Sequence, residues 1–154
     1  MFKENFMENN TRKQSEEILA EIYRNAQLAL QSISDIAPEV DDEKVKEELS
    51  RQHEEYERIS AKAVMLAKDR GLELKEPGAF KKMMMWGSIK MNTLTDNSPA
   101  HIADMMLQGT VMGITALRKS ESEVCLDAND ETIALLHEML EKEEEFEKNW
   151  KEYL

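Results

Sequence analysis

Three histidines and 32 carboxylates are the groups with which this 154-residue chain could do acid–base or metal chemistry. His53 has Glu57 four residues on, and His137 has Glu141. Residues at that spacing share a helix face, so each pair supplies half of a mononuclear metal site. In a chain this rich in acids, however, such pairs arise readily as ordinary surface contacts. His101 and Asp104 fall within one helical turn at a restart of the chain, where a local hydrogen bond accounts for them. The single cysteine, Cys125, lies in the acidic stretch ESEVCLDAND. Neighbouring carboxylates raise a thiol's pKa and suppress its nucleophilicity. Neither a glycine-rich phosphate loop nor a G-x-S-x-G elbow is present. The residues therefore point away from an enzyme.

The composition sets the frame for these groups. Apolar residues make up 41% and charged residues 34%, with 5 glycines and 3 prolines. Helix formers dominate, hairpin dipeptides are missing, and an all-α single domain is expected. A formal charge of −12 repels nucleic-acid phosphates, so no nucleic-acid partner is expected. One unpaired cysteine suits a reducing, cytoplasmic setting, and the charged start MFKENFMENN lacks the apolar core of a secretory signal.

Four helices are predicted. Residues 1–10 read as a flexible or docked tail, and residues 11–154 as one helical-bundle domain. The first helix is expected from Thr11, with Gln14 as a capping-box partner, to Ile36 before Pro38. Asp41 or Asp42 caps the second, which Gly71 ends. Its seam is Val45, Leu49, Gln52, Tyr56, Ile59, Ala63 and Leu66. Ser98-Pro99 starts the third, which runs to about Leu117 with Asp104 as its only formally charged residue. Such a helix is expected to be buried on nearly every side, with the 80–94 segment as its lid. The last begins near Asp127–Asp130, with Ile133, Leu136, Leu140, Glu143, Glu147, Trp150 and Leu154 as its seam. Short first and last connections and a long middle one describe a bundle with one crossover, or a five-helix up-down bundle if 80–94 is a full member.

Counting inward from the helix ends places Asn25 level with His53, and Gln108 level with Glu141 to Glu143. This predicts a polar core layer of Asn25, Gln52, Gln108 and Glu143, with His53 at its edge. Mutual hydrogen bonding that fixes helix register is its plain reading. A small-ligand or metal site at the bundle centre is the functional one.

In helix order, helix length and crossover, residues 12–154 resemble the ferritin-like superfamily. Di-metal members carry a glutamate on the first and third helices and Glu-x-x-His on the second and fourth. Here Glu21 matches the first-helix ligand, but Ser50 and Ala134 stand where Glu-x-x-His would need glutamate, and the third helix offers only Asp104 or Gln108. The superfamily's oxidative metal chemistry is therefore not carried over. No resident cofactor is expected; iron, manganese or zinc held by Glu21, His53 and Glu143 is the alternative. Residues 90–115, KMNTLTDNSPAHIADMMLQGTVMGIT, also resemble an uncharacterised bacterial family to which no activity attaches.

Charge is uneven along the chain. Lys75 to Lys90 carries four lysines and one glutamate, +3, whereas Asp127 to Leu154 carries ten acids and three bases, −7. Seven of the 11 methionines lie between Met83 and Met112. Phe80, Lys81, Lys82, Trp86, Ile89 and Lys90 form a candidate partner surface. Its occupant would be the acidic last helix of a second copy, giving a homodimer, or an anionic membrane face. Gly109 and Gly113, four apart, mark close helix packing.

Overall fold

The computed structural model describes residues 2–74 and 96–154, with side chains from residue 5 onward. The described residues form four long helices and no strand. They are α1 (Phe2–Ile36), α2 (Glu43–Asp69), α3 (Pro99–Glu123) and α4 (Glu131–Lys151), with a 3-10 turn at Ala37–Glu39.

The helix boundaries follow local chemistry. The Asp42 side chain accepts from the Val45 amide at 3.0 Å and caps α2, as expected. Gly71, at φ 67°, adopts the left-handed conformation that ends it. Ser98 Oγ accepts from the His101 amide at 3.3 Å ahead of Pro99. Asp130 caps α4 through the Thr132 amide at 2.8 Å.

Two boundaries correct the sequence reading. α1 begins at Phe2, not at Thr11. Nothing between residues 2 and 10 breaks a helix, and adding residues to an existing helix costs far less than nucleating one. α3 runs to Glu123, six residues past Leu117, because no glycine or proline stops it.

Paired side chains give the directions. Ser15 meets Arg70 and Gln27 meets Ser60, so α1 and α2 are antiparallel. Arg51 meets Glu145 and Arg58 meets Glu138 across α2 and α4. Arg118 meets Glu144 and His137 meets Glu121 across α3 and α4. α2 and α3 therefore run in the same direction. α2 ends beside Ser15 and Asp130, whereas Asn97, ahead of α3, bonds Glu39 and Asp41 at the opposite end. The described ends of the connection therefore lie at opposite ends of the bundle. Residues 75–95 of that connection, which include the expected lid and the candidate surface Phe80, Lys81, Lys82, Trp86, Ile89 and Lys90, lie outside the described residues.

The core is continuous, with Ile18, Ile22, Leu49, Ile59, Leu117, Leu136, Phe146 and Trp150 all at 0–1% exposure. α3 is not buried on nearly every side. It buries Ile102, Ala103, Met106, Thr110, Gly113 and Leu117, while Val111 (42%) and Met112 (69%) face outward. Its outer face carries small and apolar residues, and among the described residues no second element packs on it. No helix among the described residues is long and apolar enough to cross a membrane.

Candidate functional site

The seam of α2 buries Val45, Leu49, Gln52, Tyr56, Ile59 and Ala63, and that of α4 buries Ile133, Leu136, Leu140, Glu143 and Trp150. These two stripes carry polar atoms into the centre. Glu143 is 2% exposed. Its Oε2 accepts from the Tyr56 hydroxyl at 3.0 Å. α3 approaches through Gly113. A Cβ there would lie 3.7 Å from Glu143 Oε1 and 3.4 Å from Asn25 Oδ1 on α1. Asn25, Tyr56, Gly113 and Glu143 thus bring all four helices to one polar layer.

Asn25 is oriented by its neighbours. Its Nδ2 donates to the Glu21 carbonyl and to Glu21 Oε1, both at 2.9 Å, and Glu21 also pairs with Arg24. Its acceptor oxygen is therefore turned to the side that Gly113 leaves open. Burial pushes the Glu143 carboxyl up to about 7, with the Tyr56 hydrogen bond working in the other direction. Burial, together with the adjacent carboxylate, holds the Tyr56 hydroxyl protonated well above its ordinary range.

The other expected members of the layer lie elsewhere. Gln52 is fully buried, but it accepts from Trp150 Nε1 at 3.2 Å and donates to Glu48 at 2.7 Å, one turn along α2 from Tyr56. Gln108 is exposed and donates to Asp104 at 3.1 Å. His53 is half-buried and sits 3.4 Å from Glu57. The register explains these differences. The 3-10 turn carries the chain on past Ile36 before it reverses, and Gln27 meets Ser60. Asn25 is accordingly about two turns away from His53 along α2. Likewise, the six extra residues of α3 shift Gln108 past the level of Glu143, and its place between the buried Met106 and Thr110 turns it to the outer face.

Glu21, His53 and Glu143 do not converge, and among the described residues no three His, Cys, Asp or Glu side chains are placed to hold a metal ion. His137 pairs with Glu121 of α3 at 3.1 Å rather than with Glu141. Asp104 accepts from Gln108, and the buried Nε2 of His101 has no hydrogen-bond partner among the described residues. Cys125 is exposed and unpaired, and its amide donates to Gln14 Oε1 at 2.9 Å. An open cleft between α1 and the end of α3 is lined by Lys13, Glu17, Glu21, Arg24 and Glu123 among others, a mixed-charge surface with no convergent set.

Tyr56 and Gly113 belong to the layer, yet the sequence reading gave them only seam and packing roles. A signal for Tyr56 exists: a buried tyrosine on a seam needs a partner for its hydroxyl, and Glu143 is the acid on the facing seam.

No protein-family model matches this chain, and no curated protein or solved structure matches it either.

Proposed function

We propose that this chain is a non-enzymatic bundle of ferritin-like type that works through protein contacts, with self-association through the first turns of α1. The carrying observation is that residues 5–13 are helical yet exposed on every side, with Phe6 at 74% and Met7 at 65% exposure. A helical segment of this length gains little by itself and draws its stability from packing an apolar face. Phe6 and Met7 lie beyond the four-helix body, and among the described residues nothing covers them, which leaves their apolar surface free for another molecule. Residues 2–13 hold three bases (Lys3, Arg12, Lys13) against two acids (Glu4, Glu8) on a chain of net charge −12, so the arm is attracted to the acidic surface of a second copy.

The ferritin-like reading is supported by parallel α2 and α3, antiparallel neighbours and the placement of the end of α2 and the start of α3 at opposite ends of the bundle. In the closed form of the bundle Glu143 is 2% exposed and faces a hydroxyl, an amide and a glycine, which supports the non-enzymatic reading.

Sedimentation velocity on the full chain tests the contact reading. The wild type is expected to dimerise at micromolar concentration. The double substitution Phe6→Glu, Met7→Glu is expected to give a monomer with an unchanged melting temperature. A wild type that stays strictly monomeric removes self-association.

A further inference from the structure

The layer around Glu143 has an imbalance of donors and acceptors. Glu143 Oε1 and Asn25 Oδ1 both face the space over Gly113, and both are acceptors when Glu143 is ionised. Asn25 cannot turn its amino group into that space without giving up two hydrogen bonds to Glu21. The carboxylate has one donor among the described residues, the Tyr56 hydroxyl on Oε2. A proton on Glu143 supplies the missing donor. Without it, a buried charge stands beside a second acceptor, an arrangement that costs free energy until water enters.

Among the described residues, the charged and titratable groups around the layer are engaged elsewhere. α1 presents Glu21, held by Asn25 and Arg24. α2 presents Tyr56, with Glu48 and Arg51 further along and paired with each other. α3 presents Gly113, and the Thr110 hydroxyl is bonded to the Met106 carbonyl. Arg118 of α3 is engaged outside with Glu144 and Glu121. On α4 itself, Lys142 pairs with Glu145 and Glu55.

The route by which water would enter is also set by the structure. Across α2 and α4 stand Arg51–Glu145, Arg58–Glu138 and Lys62–Glu138. Among the described residues no ion pair spans α1 and α3, and at Gly113, where α3 meets Asn25 of α1, the seam has no side chain to fill it. The α1–α3 seam is the weaker boundary and the one that Glu143 Oε1 faces.

We propose that Glu143 is a proton-operated latch: its acid form closes α3 onto α1, and loss of the proton opens that seam to water while the α2–α4 seam stays zipped. The inference does not depend on the contact reading, because the arm at Phe6 and Met7 lies outside this layer.

Hydrogen exchange on the full chain, corrected for the intrinsic rate at each pH, tests it. Between about pH 5.5 and pH 8, amides of residues 110–117 and 22–29 are expected to lose protection at least about tenfold, while those of residues 52–59 keep theirs. Glu143→Gln, which keeps a donor at every pH, is expected to flatten that dependence. The latch is overturned if protection does not change with pH, if the loss is equal at both seams, or if the glutamine variant shows the wild-type slope. Should that variant fail to fold, carbon-13 NMR of the Glu143 carboxyl in the wild type decides. Titration near neutrality, together with the amide of Gly113, supports the latch. Titration in the ordinary carboxylate range overturns it.

Discussion

The α2–α4 seam and the α1–α3 seam are built from the same material, two antiparallel helices, yet they are held in different ways. Across α2 and α4, Tyr56 packs on Phe146 with ring centroids 5.3 Å apart, the Trp150 indole donates to Gln52, and ion pairs line the edge. Across α1 and α3, Gly113 and the Asn25 amide stand where the other seam has rings, and on the outer face of α3 Val111 and Met112 remain exposed. A helical bundle needs specific partners on enough of its seams to fix register, and not on all of them. The sparsely held seam is where polar groups and movement are cheapest to keep. Both the proposed latch and the open cleft lie on that side.

The sharpest way to break the comparison is Trp150→Ala. Trp150 is fully buried, stacks at 5.9 Å on Tyr153 and satisfies Gln52. Its removal is expected to cost about 3–5 kcal/mol, read by chemical denaturation, because it leaves a cavity and an unsatisfied buried amide. A cost below about 1 kcal/mol would mean that the seam collapses readily and is not the firm one.

Arg70 tests the end at which the two hairpins meet. Its guanidinium donates to Ser15 Oγ at 2.8 Å, Thr132 Oγ1 at 2.9 Å and Asp130 Oδ1 at 2.9 Å, joining α1, α2 and α4. Arg70→Met is expected to cost about 2 kcal/mol. The effect depends on pH. Burial alone would raise the Asp130 carboxyl, but the hydrogen bonds from Arg70 and Thr132 and the Arg70 charge outweigh it and hold the carboxyl below its ordinary value. A depressed carboxylate contributes stability above its unfolded pKa and loses it as pH falls through the folded one. The gap between variant and wild type is therefore expected to narrow below about pH 4. A gap that widens in acid would show that Asp130 is not the partner that matters.

Much of this was legible in the sequence, and the illegible part has a common cause. Asp42, Ser98-Pro99 and Gly71 announced their boundaries because capping chemistry is local. The α2 seam was legible because a period of about 3.6 residues fixes which side of a helix is buried. Glu143 stood out as an acid on such a seam. Periodicity says nothing of level along the axis, however. Level depends on where each helix stops and on how the chain turns, and those details moved Gln52 one turn from the layer and Gln108 past it. α1 continued to Phe2 because a run without breakers carries no stop signal, and its exposed phenylalanine became visible only once the body of the bundle had been placed.

A smaller effect of opposite sign comes from Gly109→Ala. A Cβ there meets nothing within 4 Å, and the φ of Gly109 is not positive, so alanine fits the helix without strain. Alanine is expected to stabilise the protein by about 0.5–1 kcal/mol through helix propensity, seen as a rise in melting temperature. If alanine destabilises instead, something covers the exposed face of α3 in solution.

The smallest effect is expected where the structure looks most firmly tied. Arg58 reaches both Glu55 and Glu138, and Lys62 also reaches Glu138, with the side chains of Arg58 and Glu138 38% and 31% exposed. Charges this open to solvent gain little from meeting, because water competes for them and ordering two long side chains costs entropy. A double-mutant cycle on Arg58 and Glu138 is expected to return a coupling of about 0.5 kcal/mol that fades in high salt. That outcome assigns the strength of the α2–α4 seam to its rings and to Trp150, leaving the ion pairs to set register. A coupling several times larger, and indifferent to salt, would reverse the assignment. The weakness of the α1–α3 seam would then follow from its lack of charge pairs rather than from its glycines.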